Sequence, residues 1–202
     1  MWLKICGLTD AAAVDAAVQS GADALGFVFA PSVRAVTPRV AAALAGAARG
    51  RCQLVAVTLH PAQELIDELL EGLRPDVLQS DWTDLQQLRL PQQLVRLPVL
   101  RASAGEGVVS LPEPLPVRAL FEGARSGTGV ASDWGEASRL ARRTELILAG
   151  GLHPGNVAQA IDRVRPYGVD VSTGVESFPG RKSPALIAQF IAAARAVAQD
   201  AA

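Results

Sequence analysis

The sequence holds only two cysteines, Cys6 and Cys52, and two histidines, His60 and His153, in 202 residues. Two thiols cannot build a disulfide framework. Neither histidine stands at metal-ligand spacing from acidic or thiol residues, so no metal site is expected. His153 precedes Pro154 at the start of a helical run, where a structural part suffices. Lysine and arginine form no long run and the net charge is -1, which leaves no electrostatic footprint for nucleic acid. No apolar stretch approaches the ~20 residues that a membrane span needs. Met1-Trp2-Leu3-Lys4-Ile5 lacks the pattern of a signal peptide and runs directly into a strand-like segment. No linker or low-complexity tract marks a second domain. The expectation is therefore a cytoplasmic protein with reduced thiols, a single domain over residues 1–202, and neither membrane nor nucleic acid as partner.

What the chain does have is apolar residues, 50% of the total against 19% charged, enough to bury a large core. Short strand-like runs alternate with Ala-rich helical runs. Strands are expected at 3–6, 24–29, 53–58, 77–79, 95–101, 118–121, 145–149 and 168–171. Helices are expected at 11–20, 38–49, 63–73, 83–88, 133–142, 155–163 and 183–198. Asp10 suits an N-cap, and Pro38 and Pro184 sit where first-turn prolines belong. Such alternation argues for an α/β fold with a parallel sheet and crossover helices. Eight strands favour a closed (β/α)8 TIM barrel over an open, doubly wound sheet. Its fifth helix would be weak or missing, because Gly105, Gly107, Pro112, Pro114 and Pro116 crowd residues 103–116.

In such a barrel ligands bind at the carboxyl ends of the strands. That rule selects Cys6, the 29–34 loop, Gln79, Arg101, Glu122 and three Gly-rich segments. The segments are Ser126-Gly127-Thr128-Gly129, Ala149-Gly150-Gly151-Leu152 and Ser172-Thr173-Gly174-Val175-Glu176. Glycine lets backbone approach a ligand, and amides at a helix start face an anion, so three in series read as a phosphate cradle rather than ordinary turns. Strand alternation puts Lys4 and Cys6 on one face. An ammonium there would favour the thiolate and suit Cys6 as a base or nucleophile; the plainer alternative is a buried cysteine acting as a small hydrophobe, the reading given to Cys52. Glu122, flanked by Leu120 and Phe121, could hold a proton by desolvation and serve as general acid, or be a solvated loop glutamate, or pair with Arg125. Arg34 could grip a carboxylate with two parallel hydrogen bonds, although on position alone it reads as a surface arginine. Asp170, inside an apolar strand, must bind a polar ligand or backbone amides.

These motifs together resemble the phosphoribosylanthranilate isomerase family of tryptophan biosynthesis, over essentially the whole chain. The resemblance rests on Lys4-Ile5-Cys6-Gly7-Leu8-Thr9, on Gly21 to Phe29 with Ser32-Val33-Arg34, and on Ser126-Gly127-Thr128-Gly129 with Asp133-Trp134. It continues through Ala149-Gly150-Gly151-Leu152, Asn156-Val157, Val169 to Glu176 and Pro179-Gly180-Arg181-Lys182-Ser183. It implies a (β/α)8 barrel without cofactor or metal, catalysing an Amadori rearrangement of a phosphorylated small molecule, as monomer or homodimer. Cys6 would be the general base, Arg34 would hold the anthranilate carboxylate, and Asp170 would contact the sugar or amine side. Lys4 and Gln79 would also contact substrate. The phosphate would rest on Gly150, Gly151, Ser172, Thr173 and Gly174, with Gly129 nearby. The chain departs from the family at three places. Glu122 stands where Asp is usual as general acid, Gln79-Ser80-Asp81-Trp82 replaces Gln-Leu-His-Gly, and Thr58-Leu59-His60 replaces Phe-Val-Asn. A related aminoaldose-phosphate isomerase would carry an acidic residue after the first strand, where Cys6 stands. A barrel that binds a phosphosugar without catalysis is the other alternative.

Overall fold

The chain folds as the alternation predicts, into a closed barrel of eight parallel strands hydrogen-bonded in sequence order. The computed structural model describes residues 1–101, 113–123 and 132–200. The strands are β1 (Trp2–Cys6), β2 (Ala24–Val28), β3 (Gln53–Val57), β4 (Val77–Asp81), β5 (Val95–Arg101), β6 (Arg118–Glu122), β7 (Glu145–Leu148) and β8 (Gly168–Val171). The helices are α1 (Ala11–Gln19), α2 (Pro38–Leu44), α3 (Gln63–Gly72), α4 (Trp82–Gln87), α5 (Trp134–Ala141), α6 (Val157–Val164) and α7 (Pro184–Asp200). Between β5 and β6, residues 113–117 form no helix; 102–112 lie outside the described residues, as does the first Gly-rich run with Gly129. No described helix is long and apolar enough to cross a membrane.

Strands β1 to β7 send alternate side chains to two cores. Leu3 and Ile5 of β1 pack into the large outer layer between strands and helices. Trp2, on the other face, packs against the barrel's inner cluster of Ala24, Val55, Val77, Leu97, Val99, Leu120, Ile147 and Ala149. Local chemistry starts the helices where expected. The Asp10 carboxylate accepts the Ala13 N–H at 2.9 Å, and Thr37 accepts the Val40 N–H at 3.3 Å ahead of Pro38. The second helical run is shorter than expected. It tightens into a 3-10 turn over Ala45–Ala48, where Gly46 weakens α-helix propensity.

One element was not anticipated. After β8 the chain makes a 3-10 turn at Thr173–Val175 and then a two-stranded antiparallel hairpin, β9 (Glu176–Phe178) and β10 (Arg181–Lys182), before α7 begins. Pro179-Gly180 was the available sign of that turn, with Gly180 at φ +80.

At the opposite end of the barrel one device occurs twice. Asp23, just ahead of β2, accepts the Leu3 N–H at 2.8 Å, and Asp76, just ahead of β4, accepts the Leu54 N–H at 2.7 Å. Each aspartate's own N–H returns to the same neighbour's carbonyl, Leu3 or Leu54, at 2.9 Å. Replacing Asp76 by Ala would leave the amide of buried Leu54 without its acceptor. We expect a loss of about 1–3 kcal/mol in urea unfolding. An unchanged midpoint would show that the carboxylate is dispensable.

Candidate active site

The carboxyl ends of the strands surround one cleft. It brings together Cys6 from β1, Arg34 from the loop after β2, Gln79 from β4, Arg101 from β5, Glu122 from β6, and Asp170 and Ser172 at the end of β8. Lys4 does not line it. The register of β1 against β8 sets Lys4 directly opposite Asp170, and the wholly buried ammonium bonds Asp170 Oδ1 at 2.9 Å. Burial alone would pull Lys4 below its ordinary pKa, but the Asp170 charge, followed by Cys6, carries it above.

Cys6 behaves differently from expectation. Burial pushes its thiol above the ordinary range; Lys4 and Lys182 pull the other way, and Asp170 adds to the rise. The ammonium at Lys4 was expected to favour the thiolate, yet it already serves Asp170, and desolvation outweighs its remaining effect. Cys52 is buried as expected, its Sγ donating to the Ala22 carbonyl at 3.1 Å.

Arg34 is not a surface residue. Its side chain lies across Gly7, where an added Cβ would come within 2.6 Å of Arg34 Cδ. Nε and Nη2 donate to the two carboxylate oxygens of Glu176 at 2.6 and 2.9 Å, and Nη2 also donates to Thr173 Oγ1 at 3.2 Å. The Nε–Nη2 fork is thus already taken. Lys182 Nζ reaches the same carboxylate at 2.8 Å and also donates to the carbonyl and hydroxyl oxygens of Ser172. Burial alone would raise the Glu176 pKa, but the bonds from Arg34 and Lys182 hold it below the usual range. Burial draws Lys182 below its ordinary range against the pull of Glu176. Glu176 and Lys182 thus join the candidate site through Arg34, a part that the motifs holding them did not announce.

On the far side of the cleft, Glu122 Oε1 lies 3.1 Å from Arg101 Nε, and Arg101 also pairs with Asp81. The carboxyl group therefore has a guanidinium beside it, where the sequence suggested only apolar neighbours and Arg125, which lies outside the described residues. Gln79 is buried and its amide oxygen meets no hydrogen-bond donor among the described residues. Such an orphan costs about 1–3 kcal/mol, which fits an acceptor meant for a ligand N–H or O–H. His60 corrects the expectation about histidine spacing. Its Nδ1 is 2.9 Å from Asp84, and ligand atoms of His60, Asp81 and Asp84 gather within 4.8 Å. All three are engaged by protein partners: Asp84 by His60 and Ser80, Asp81 by Arg101.

The third Gly-rich loop meets this cleft at Ser172, and the second packs against the third at Gly174. Gly150 and Gly151 turn with φ of +88 and +66. Asn156 pins that turn, donating to the Gly151 carbonyl and accepting the His153 N–H. Gly174 is pressed against it so closely that a Cβ would fall 1.9 Å from the Leu152 oxygen. Gly150, Gly151, Thr173 and Gly174 thus form a backbone wall that no side chain at 174 could enter.

A family model described as N-(5'phosphoribosyl)anthranilate (PRA) isomerase matches residues 3–193. The chain belongs to that family. It is 43% identical to the N-(5'-phosphoribosyl)anthranilate isomerase of Roseiflexus castenholzii, covering 98% of this chain and 100% of the relative. Among solved structures it resembles the phosphoribosyl anthranilate isomerase of Thermus thermophilus with a TM-score of 0.81 at 30% identity, covering 98% and 100% of the two chains. It also resembles a phosphoribosyl anthranilate isomerase solved in complex with reduced 1-(o-carboxyphenylamino)-1-deoxyribulose 5-phosphate, with a TM-score of 0.80 at 28% identity, covering 97% and 99%. Within the PRA isomerase frame, the run Gln79-Ser80-Asp81-Trp82 gains a use: Asp81 anchors the arginine that faces Glu122.

The site makes a direct electrostatic statement about Cys6. In Cys52→Ser protein, the ultraviolet absorbance of the Cys6 thiolate should appear only at pH above the ordinary thiol range. A thiolate already present at neutral pH would show that the ammonium groups outweigh burial.

Proposed function

We propose that the chain catalyses the Amadori rearrangement of N-(5-phosphoribosyl)anthranilate to 1-(2-carboxyphenylamino)-1-deoxyribulose 5-phosphate in tryptophan biosynthesis. The observation that carries this reading is one cleft lined by a buried thiol on β1, a carboxylate on β6 and an arginine after β2. Glu122 gives a proton to the furanose ring oxygen. As the C1–O bond breaks, the nitrogen lone pair forms the C1=N bond. The Cys6 thiolate then removes the C2 proton, and the electrons of that C–H bond neutralise the iminium as an enolamine, which tautomerises to the ketone. Every step moves protons within the substrate and between these two side chains.

The remaining residues orient the substrate. Arg34 holds the anthranilate carboxylate through Nη1, which no described residue engages. Asp170, held by Lys4 through Oδ1, turns its other oxygen to a sugar hydroxyl or to the amine. Gln79 supplies the acceptor described above. The phosphate rests on the Gly150–Gly151 and Thr173–Gly174 backbone beside Ser172. Lys4 acts one step removed, by fixing Asp170.

General acids and bases contribute about 100- to 10,000-fold each, so both roles are visible in kinetics. The gene should complement an auxotroph lacking this isomerase, and Cys6→Ala should not; complementation by Cys6→Ala would remove the base, and failure of the wild type would leave a barrel that only binds. Glu122→Asp should retain or raise turnover, whereas Glu122→Gln should lose most of it. Undiminished turnover in the Gln variant would take Glu122 out of the acid role. The pH dependence has a definite sign. A raised thiol pKa leaves less thiolate at a given pH, so kcat/KM should climb as pH rises through the neutral range. A flat limb there would contradict Cys6 as the base.

A further inference from the structure

We propose that Glu176 and Lys182, the two ends of the β9–β10 hairpin, are positioning residues that aim Arg34 at the substrate carboxylate. The proposal rests on the role given to Arg34 above. Three observations support it. First, Glu176 takes Nε and Nη2 of Arg34 in a bidentate grip and Thr173 takes Nη2 again, leaving Nη1 as the amino group without a described partner. A long side chain from a loop would otherwise lose rotamer freedom when the ligand binds; pairing it beforehand removes that cost. Second, a carboxylate beside the guanidinium would by itself cancel the charge that attracts a substrate anion. Lys182, its side chain fully buried, reaches the same Glu176 oxygen that receives Arg34 Nε, so the cluster of two cations and one anion remains net positive. Third, the hairpin is seated on the loop that carries Arg34. A Cβ on Gly180 would lie 2.6 Å from the Val33 carbonyl oxygen, and Thr9 Oγ1 donates to the Gly180 carbonyl at 3.1 Å. Lys182 also bonds Ser172, so a single ammonium ties the carboxylate-gripping arginine to the end of β8, where the phosphate loop begins.

The test is a comparison of ligands. Dissociation constants are measured for reduced 1-(o-carboxyphenylamino)-1-deoxyribulose 5-phosphate and for the same compound with a plain phenylamino group, on wild type, Glu176→Gln, Glu176→Asp and Lys182→Met. Charge-assisted pairing of one carboxylate predicts a wild-type preference of about 10- to 100-fold for the carboxylated ligand. Glu176→Gln and Lys182→Met should lose about tenfold or more of that preference while binding the phenylamino ligand within about threefold of wild type. Glu176→Asp, which keeps the charge, should fall between. Retention of the wild-type preference by the variants would overturn the proposal. So would an equal loss for both ligands, since that is the mark of residues needed only for folding. If Glu176→Gln does not fold, Lys182→Met and Glu176→Asp carry the same comparison. A wild type without any preference would instead refute the role of Arg34, a separate result.

Discussion

The site depends on one buried ion pair. Lys4 and Asp170 face each other across the seam where the first and last strands meet, 2.9 Å apart, with the ammonium wholly buried. Neither charge could remain there alone. Removing one partner of a buried pair costs about 3–5 kcal/mol, because the other is left uncompensated. The pair therefore does more than close the barrel. It occupies Oδ1 of Asp170, and it places near Cys6 a cation that Asp170 shares. Burial pushes the Cys6 thiol above its ordinary range, and the pull of that ammonium does not offset it.

A second ionic group, Arg34 with Glu176 and Lys182, is built on the same logic but with the balance reversed. The first group is neutral and the second is net positive, so the cleft attracts an anion at the hairpin side. Gly7 lets the Arg34 side chain pass and Gly174 lets the Leu152 backbone come close, where side chains would block, and Gly150 and Gly151 take the positive φ that their turn needs. The proposed function gives the cleft two places for negative charge, one at Arg34 and one along the β7 and β8 loops, with the proton-transfer groups between. That division suits a substrate carrying a carboxylate at one end and a phosphate at the other.

Much of this was legible in the sequence because it is local. Short strand-like runs marked the strands, and strand alternation put Lys4 and Cys6 on one face; the position of Cys6, Gln79, Glu122 and Asp170 at strand ends brought them to one cleft. What was not legible joins residues far apart in the chain. Lys4 and Asp170 are 166 positions apart, Arg34 and Glu176 are 142, and no spacing rule connects them. The direction of the Cys6 shift was misjudged for the same reason. A neighbouring ammonium can be read from a strand, whereas its prior commitment to a distant carboxylate and the depth of burial cannot. The Pro179-Gly180 turn was visible, but nothing local announced that its two arms would carry the partners of Arg34.

The most direct test is the structure of this protein bound to reduced 1-(o-carboxyphenylamino)-1-deoxyribulose 5-phosphate. The account predicts the carboxylate on Arg34 Nη1, the phosphate on the backbone at Gly150, Gly151, Thr173 and Gly174, and the Cys6 sulfur roughly 3–3.5 Å from the sugar C2, close enough for proton transfer. A ligand bound in the reverse sense, with its phosphate at Arg34 and its aromatic ring on the glycine wall, would contradict it.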